Sequence, residues 1–563
     1  MEKISRSLLS GNDSRFIYFC CLLALLTLGM FFFYTPWHIG ADTMFHYNRI
    51  NILMDALRDG SYPNYMDYNS LGGYGYIVNI FYPDFLLIPF AVLGNFTSLN
   101  TAFISLLATC TILTGIFTYI SVNGVYKNSF MACISALLFT FAAYRIFDVF
   151  YRGAIGEYMA FTFIPLAFWG AYESIKGDYK KWYILTVAFS LLIYTHVISS
   201  AIAFVALIIF LIINIKRIIE TPERLLYLSI AGVATIFATS AYIIPLLEQI
   251  ASNSFYFTSN PATDISYSLL KMNDIIAGLF NNIESAYKSA PDAKTGGILV
   301  ALLFLRLSVR DKPKQLKHID IWVVIGFILI ISESYIFPWQ IFPFSKFTFI
   351  QHPCRLLLIV SFIFSLAGAF YMNETLQNKN KKIAAAICLT LVLLLVMKSD
   401  GASNRKIFAK HPKLDNQLIY SLTIGGAEYL PAAFPSPYHA FVEQRGTVVV
   451  ARDSSTVISN MKRVKGNLSF DIELAENDFV ELPLTYYIGY QAILNGKKIE
   501  YQSSEDGLVA LPIGESGKVK IEYKGTTIQS ISYCISILFI FIFIFYFMYN
   551  YKKKDRSAPT KSL

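Results

Sequence analysis

A short polar run follows the first long apolar segment and carries three ionisable side chains. Asp42, His46 and Arg49 are spaced i, i+4 and i+7, so in a helix they share one face. A carboxylate, an imidazole and a guanidinium directly after a membrane-length apolar segment put ionisable chemistry at the surface of a bilayer. The alternative is a solvated loop, and the spacing alone leaves both interpretations open.

The composition of the chain indicates where this run must lie. Of its 563 residues, 55% are hydrophobic and only 15% are charged, with a mean hydropathy of +0.49. This composition predicts a multi-spanning membrane protein, and the first apolar run is too long for a cleaved signal peptide. The apolar runs are residues 16–36, 101–122, 130–148, 158–175, 182–198, 200–215, 225–247, 295–309, 319–337, 353–372, 383–398 and 530–550.

The distribution of the positive charge argues against a nucleic-acid partner, and the positions of the cysteines argue against disulfides and a cysteine-based metal site. The net charge is +9, but Lys and Arg form small clusters between apolar runs, as topology signals do, so we expect no nucleic-acid partner. All seven cysteines lie in or beside apolar segments and form no CxxC pair, which disfavours disulfides and a cysteine-based metal site.

The topology follows from where the positive residues fall. Residues 76–94 are apolar but contain Pro83, Asp84 and Pro89, so this segment could span the membrane or lie at its surface. If the segment spanned, nearly every later Lys/Arg cluster would lie outside, against the positive-inside rule. We therefore predict about twelve crossings, both termini in the cytoplasm, and an outer loop over residues 37–100.

This topology brings polar residues from four separate segments to the outer surface. Ionisable groups at membrane depth are costly and usually face a cavity or one another, so their coincidence favours a functional site. The residues are Asp42, His46 and Arg49, then Arg152 and Glu157, then His196, and finally Gln351 and Arg355.

Each later segment also has a purely structural interpretation. Arg355 could extend to the membrane interface, and His196 could be a hydrogen-bonded histidine at a helix turn. Arg152 and Glu157 could form a structural ion pair. These three interpretations, taken separately, do not readily explain why polar residues of all four segments reach the same surface.

Residues 399–528 have a different, polar and β-rich composition. Asn495-Gly496 and Asp506-Gly507 are hairpin signals. We predict an extracytoplasmic all-β sandwich between a transmembrane domain (1–398) and a last helix with a basic cytoplasmic tail (529–563). Its role is either packing or oligomerisation, or holding a glycan or acceptor. The candidate strands are 448–451, 468–474, 479–482, 487–494 and 518–523.

Several short motifs together resemble a known family. They are Asp42-x₃-His46-x₂-Arg49, Arg152-x₄-Glu157 followed by Pro165, His196, Gln351-x-Pro353-x-Arg355, Glu428-Tyr-Leu-Pro431 and the segment 487–496. The set resembles the bacterial membrane proteins called 6-pyruvoyl-tetrahydropterin synthase-related, which in turn resemble GT-C superfamily glycosyltransferases and YfhO-type membrane proteins. His352 and Cys354 stand where this pattern leads us to expect aromatic residues.

The resemblance implies a GT-C-like fold of about 12 transmembrane helices in the bacterial plasma (inner) membrane. It implies a polyprenyl-phosphate sugar donor and an envelope glycan or polymer acceptor at the outer face of the lipid bilayer. Asp42 is then the candidate general base, with Glu157 second and His46 or His196 orienting the base or binding phosphate.

Arginines suit the lipid phosphate that leaves in such a reaction. Arg152 and Arg355 are the first candidates and Arg49 the third, with Gln351 beside them. No cofactor is required by the pattern, although Asp42, His46 and Glu157 could together hold a divalent metal.

Two other classes of function are kept as alternatives. A transporter or flippase for lipid-linked saccharides also needs phosphate-binding arginines, but it should carry polar residues through the membrane rather than at one face. An assembly protein explains the β domain but not the clustered ionisable residues.

Overall fold

This computed structural model describes residues 14–63, 66–259, 265–280, 295–310, 313, 315–414, 424–425 and 427–556. The chain forms a multi-pass helical domain followed by a smaller all-β domain and a last long helix, as the sequence predicts. The last residues of the predicted basic tail, 557–563, lie outside the described residues.

Every predicted apolar run contains helix. Among the described residues, seven helical segments are long and apolar enough to cross a membrane. They are α1 (Ser14–Phe33), α5 (Leu99–Tyr126), α6 with its continuation (Ser129–Arg152), α13 (Glu223–Ser252), Pro353–Thr375 including α18, α19 (Lys379–Ile407) and the apolar part of α21, Thr527–Met548. The remaining runs form the shorter helices α9 (Ile164–Ile175), α10 (Tyr183–Ile193), α11 (Val197–Ile213), α16 (Gly297–Leu303) and α17 (Leu316–Ile331).

Shorter elements complete the helical part of the chain. The other α-helices are α2 (Thr43–Arg58), α3 (Val78–Phe81), α4 (Ile88–Phe96), α7 (Ala143–Phe147), α8 (Ile155–Ala160), α12 (Ile215–Glu220), α14 (Tyr256–Ser259), α15 (Met272–Phe280) and α20 (Tyr438–Arg445). Within these bounds, α6 is Ser129–Thr140, α18 is Leu357–Thr375 and α21 is Thr527–Arg556. Short 3₁₀ turns cover Ser70–Gly73, Phe85–Leu87, Tyr179–Lys181, Ile265–Ser268, Phe344–Ile350 and Pro353–Leu356, and one extends α16 over Phe304–Ser308.

The ambiguous segment 76–94 does not form one long helix. It contains α3, a 3₁₀ turn and the first part of α4. The nine residues of α4 extend only about 14 Å, whereas the hydrocarbon core of a bilayer is about 30 Å thick. The segment is therefore too short and too broken to cross as a single helix, as predicted.

Polar caps set the boundaries between neighbouring helices. Ser98 accepts a hydrogen bond from the Thr101 N–H at 3.1 Å, which begins α5. That helix ends at Lys127 in the left-handed conformation, and the Asn128 side chain then accepts the Met131 N–H at 3.0 Å to begin α6. These contacts satisfy backbone groups that a helix end leaves unpaired, so α5 and α6 can reverse direction over two residues.

The C-terminal domain is a sandwich of two antiparallel sheets. One sheet has the order β1-β4-β8-β7 and the other β2-β3-β9-β5-β6, and Val480 and Leu511 of the first share a core with Phe470 and Ile521 of the second. The strands are β1 (Val450–Ala451), β2 (Val457–Val464), β3 (Asn467–Glu473), β4 (Asp478–Thr485), β5 (Tyr490–Leu494), β6 (Lys497–Ile499), β7 (Gln502–Ser503), β8 (Leu508–Ile513) and β9 (Gly517–Tyr523).

Both predicted hairpin signals join paired strands. Asn495 and Gly496 have positive φ and connect β5 to β6, as a tight two-residue turn requires. Gly507 also has positive φ and precedes β8, which pairs with β7. The domain begins later than the sequence indicates, because α19 continues to Ile407 and the first strand starts at Val450.

The β domain and the segment 37–100 lie at the same end of the helical bundle. The Thr485 N–H donates to the Tyr74 carbonyl at 2.9 Å, and Phe81 stacks on Tyr429 with ring centres 4.6 Å apart. Met66 and Phe81 are also part of the core of the sandwich. The two parts therefore share one hydrophobic core.

Basic residues mark the opposite end of the bundle. Lys181 pairs with Glu173 at 2.6 Å and Arg224 donates to the Ser174 carbonyl at 3.0 Å, both at the C-terminal end of α9. Lys382 donates to Asn373 at 2.7 Å between α18 and α19. By the positive-inside rule this end should face the cytoplasm, which would put the β domain outside.

Single cysteines at the two ends test this orientation. We expect a membrane-impermeant maleimide added to intact cells to label Ser455→Cys, in the β domain, and not Lys180→Cys at the basic end. Both positions are exposed, so a difference in labelling should not come from a difference in solvent exposure. Labelling of the unmodified protein measures the background from the seven natural cysteines. Labelling at position 180 but not at position 455 would show that the protein has the opposite orientation in the membrane.

Candidate functional site

The predicted site residues lie on segments that are held together by close backbone contacts. The Asp42 N–H donates to the Arg152 carbonyl at 2.7 Å, which joins the start of α2 to the π-helical turn Asp148–Arg152. The next residue, Gly153, has a φ of +73°, and a Cβ there would lie 2.2 Å from Thr43 Oγ1. Only glycine fits this contact. The absence of a side chain at position 153 therefore allows the start of α2, with Asp42, to lie beside Arg152.

A second close approach brings the outer segment to the same place. A Cβ on Gly156 would lie 1.8 Å from the Tyr82 hydroxyl oxygen, so α8 can pack against Tyr82 only because position 156 has no side chain. Glu157 follows directly and is almost fully buried. The segment 76–94 therefore contacts the charged part of the site.

Glu157 lies between two arginines. Its Oε2 atom is 3.4 Å from Arg152 Nη1 and 3.6 Å from Arg355 Nε, and its Oε1 atom accepts a 2.8 Å hydrogen bond from the Tyr144 hydroxyl. Arg152 Nη1 also contacts the buried Asp148 carboxylate at 3.0 Å. Two carboxylates thus hold the two guanidinium groups, and the predicted pair Arg152–Glu157 is one part of a larger network.

Arg355 is fixed from its own chain segment as well. Its Nη1 atom donates to Gln351 Oε1 at 2.7 Å and to the Ile350 carbonyl at 2.9 Å. Gln351 itself has a φ of +62°, so the turn before Pro353 is backbone-strained for a residue with a side chain. Arg355 is buried and ion-paired rather than extended to the interface, so that alternative interpretation is wrong.

The remaining candidates form a neighbouring group around Tyr82. Arg49 lies 4.2 Å from the centre of the Tyr82 ring, donates to the Pro83 carbonyl at 2.5 Å and contacts His46 Nδ1 at 3.2 Å. On the other side, His196 stacks on Tyr82 with ring centres 6.0 Å apart. His46 and Arg49 are buried on one face of α2, so the loop interpretation of this run is wrong for both residues.

His196 also has a structural role. Its Nδ1 atom lies 2.8 Å from Ser199 Oγ and accepts the Ser199 N–H at 3.3 Å, so it caps the start of α11. His46 is deeply buried, and this burial, followed by the charge of Arg49 and the proximity of His196, lowers its pKa well below the usual range. His46 is therefore a neutral imidazole at neutral pH.

Asp42 is the accessible carboxylate of the group. Its side chain reaches solvent, whereas Glu157 is almost fully buried. Partial desolvation raises the pKa of Asp42, and the positive charges of Arg152 and Arg355 oppose that rise. The Asp42 carboxylate is therefore near enough to both arginines to be influenced by their charge, but it is not part of the ion pairs that they form with Glu157 and Asp148.

Sequence reasoning missed four residues of the site: Tyr82, Asp84, Tyr144 and Asp148. Asp84 is half-buried near Arg49, and desolvation raises its pKa to about 6 against the opposing charge of that arginine. Asp148 could have been found from the sequence, because it is a carboxylate at the end of an apolar run, four residues before Arg152. The tyrosines carry no such signal in a chain with 37 of them.

The metal site considered from Asp42, His46 and Glu157 is not formed. In the part of the chain that the structure describes, no three His, Cys, Asp or Glu side chains lie close enough to hold a metal ion. Glu157 is directed at the two arginines and His46 at Arg49. Glu157 and His46 are therefore engaged by arginines and do not converge with Asp42 on one metal position among the described residues.

Comparison with known proteins gives limited similarity. No family model matches the chain. An uncharacterised protein of Lactococcus lactis subsp. cremoris (strain MG1363) is 24% identical over 359 residues, which are 60% of this chain and 57% of that protein. The chain thus spans a little over half the length of this relative.

Among solved structures, the chain is similar to an Archaeoglobus fulgidus oligosaccharyltransferase determined with a tethered acceptor peptide. The similarity covers 77% of this chain and 69% of that one, at 11% identity and a TM-score of 0.35. A likeness at this level identifies neither the fold nor the reaction, so the site geometry has to carry the functional argument.

The buried position of Glu157 gives a stability prediction. Glu157→Gln removes the charge shared by Arg152 and Arg355, and breaking a buried ion pair typically costs about 3–5 kcal/mol. We expect a clear decrease in the thermal unfolding midpoint of the detergent-purified protein. Glu481→Gln is the control, because its pair with Arg445 in the β domain is more exposed and should matter less. Equal midpoints for the two variants would contradict the central role of Glu157.

Proposed function

We propose that this protein is a membrane glycosyltransferase that transfers a sugar from a polyprenyl-phosphate-linked donor to a cell-envelope acceptor at the outer face. The observation that carries the proposal is the solvent-accessible carboxylate of Asp42 within electrostatic range of two arginines, Arg152 and Arg355, which pair with buried Glu157. Such a site pairs a group that can accept a proton with groups that can bind a phosphate.

The two arginines are suited to the donor phosphate. Both are held on one side by Glu157, which lies 3.4 Å from Arg152 Nη1 and 3.6 Å from Arg355 Nε. Each guanidinium group carries five N–H donors, and the donors not used in these contacts are suited to phosphate oxygens. Arg49 differs, because it already donates to the Tyr82 and Pro83 carbonyls. We therefore assign Arg49 to holding this loop rather than to the phosphate.

Asp42 supplies the base. The acceptor hydroxyl oxygen forms the new bond to the anomeric carbon while the bond from that carbon to the phosphate oxygen breaks. The polyprenyl phosphate leaves with the bonding electron pair and the acceptor proton passes to Asp42. Arg152 and Arg355 stabilise the charge on the departing phosphate, so their preorganised position lowers the barrier. Glu157 acts as a positioning residue, because both of its oxygens already have partners.

The position of the β domain fits an extracytoplasmic acceptor. It packs on the same outer segment that carries Tyr82 and therefore stands at the end of the bundle where Asp42 reaches solvent. An acceptor bound there would approach the charged cluster from the aqueous side.

Replacing the base should stop turnover without preventing donor binding. Asp42→Asn keeps the size of the side chain but cannot accept the proton, so we expect the rate of sugar transfer to fall by about 10²–10⁴. Asp55→Asn is the control, since Asp55 is a more distant residue of α2 that pairs with exposed Arg58. The assay uses purified protein with a radiolabelled polyprenyl-phosphate sugar. Unchanged transfer by Asp42→Asn would refute the role of Asp42, and donor movement across vesicles without transfer would indicate a flippase.

The acid limb of the pH–rate profile should report the ionisation of Asp42. Activity should be lost as the pH falls through the pKa of this carboxyl, because only the ionised form accepts a proton. Arg355 lowers this pKa, so Arg355→Gln should move the acid limb of kcat/KM to higher pH. It should also weaken donor binding roughly tenfold to a hundredfold, as loss of a charge-assisted hydrogen bond does. An acid limb that stays in place would show that Arg355 does not act on the base.

A further inference from the structure

An apolar groove runs through the opposite half of the bundle, between α9, α11, α17 and α18. It measures about 140 Å³ and is partly open. Five alanines are among its lining residues, including Ala167 and Ala171 of α9 and Ala203 and Ala206 of α11. Small residues at facing positions leave a narrow slot between helices, which suits an alkyl chain better than a bulky ring.

The groove has the length of one bilayer leaflet. Its lining residues on α9 extend from Ile164 to Lys176, a distance of about 18 Å along the helix. Half of the hydrocarbon core of a bilayer is about 15 Å. A lipid chain lying in the groove would therefore reach from the middle of the membrane to one surface.

Only one end of the groove is polar. Lys176, Tyr172, Tyr126 and His318 line that end. It lies at the far end of α9 from Glu157, beside the basic cluster that the positive-inside rule places in the cytoplasm. The groove is thus separate from the charged cluster of the proposed active site.

Lys176 lacks the partner that its neighbour has. Within the described ranges no carboxylate lies within 4 Å of its ammonium group, which instead sits 5.6 Å from the centre of the Phe210 ring. Burial and then the positive charge of Arg217 lower its pKa. Lys181, by contrast, is neutralised by Glu173 at 2.6 Å. A half-buried cation near another cation at the end of an apolar slot is complementary to an anionic amphiphile.

We propose that this groove binds an anionic glycerophospholipid, with one acyl chain along the alanine-lined slot and the phosphate beside Lys176. Basic pockets between transmembrane helices on the cytoplasmic side are suited to such head groups. The bound lipid fills the space between α9, α11, α17 and α18 and supplies the missing negative charge. The site does not depend on the proposed glycosyl transfer, so either proposal can fail without the other.

Native mass spectrometry of the full-length protein in detergent tests the proposal. The protein is offered equal amounts of dioleoyl-phosphatidylglycerol and dioleoyl-phosphatidylcholine, and the bound fractions are compared. We expect the unmodified protein to prefer phosphatidylglycerol. Lys176→Met should lower that preference about fivefold, the usual effect of one basic residue on an anionic lipid, and Lys176→Arg should retain it.

Two further variants separate the head group from the chain. Lys180→Met is the matched control, because this exposed lysine belongs to the same basic end but does not line the groove, and it should bind as the unmodified protein does. Ala206→Phe should fill the slot and reduce retention of both lipids. If Lys176→Met fails to fold, as judged by its thermal midpoint, the Lys176→Arg and Ala206→Phe variants still carry the test.

Three results would overturn the proposal. The first is equal binding of the two lipids by the unmodified protein, which would remove the anionic preference. The second is an equal loss in Lys176→Met and Lys180→Met, which would indicate only general surface charge. The third is displacement of phosphatidylglycerol by an equal amount of undecaprenyl phosphate, which would make the occupant an isoprenoid carrier.

Discussion

The buried carboxylate of Glu157 is the contact on which the end of the bundle beside the β domain depends. It neutralises Arg152 and Arg355, which come from segments 200 residues apart in sequence, at a depth where an unpaired charge is very costly. The pairing therefore fixes the π-helical turn before Gly153 against the turn before α18. Asp148 and Tyr144 complete the same network, so the two guanidinium groups are held before any substrate arrives, as electrostatic preorganisation requires.

The outer segment couples this cluster to the β domain. Tyr82 stacks on His196 and lies against Gly156, while its neighbour Phe81 belongs to the core of the sandwich. A movement of the β domain should therefore reach the charged cluster through two consecutive residues. The helical end and the β end of the protein form one continuous packing unit at this point, although they differ in composition and secondary structure.

The charged groups before and after α9 are arranged differently. Before it, Glu157 of α8 pairs with the two arginines, whereas just after it Lys176 is left without a carboxylate partner among the described residues. In the first arrangement the charges are neutralised by other side chains of the protein. The second is complementary to an anion from outside the chain, and anionic lipids are one source of such a group.

The sequence by itself determined the class of the protein, the positions of its apolar helices, the β domain with both hairpins, and the four segments that carry the charged residues. These features follow from local signals, namely apolar length, strand alternation, turn residues and ionisable groups at the ends of apolar runs. Only the tertiary structure decided which charges pair, that Glu157 is buried while Asp42 reaches solvent, and that Tyr82, Tyr144 and Asp148 belong to the site. Pairing and burial depend on contacts between residues far apart in the chain, and no local pattern records the distance between them.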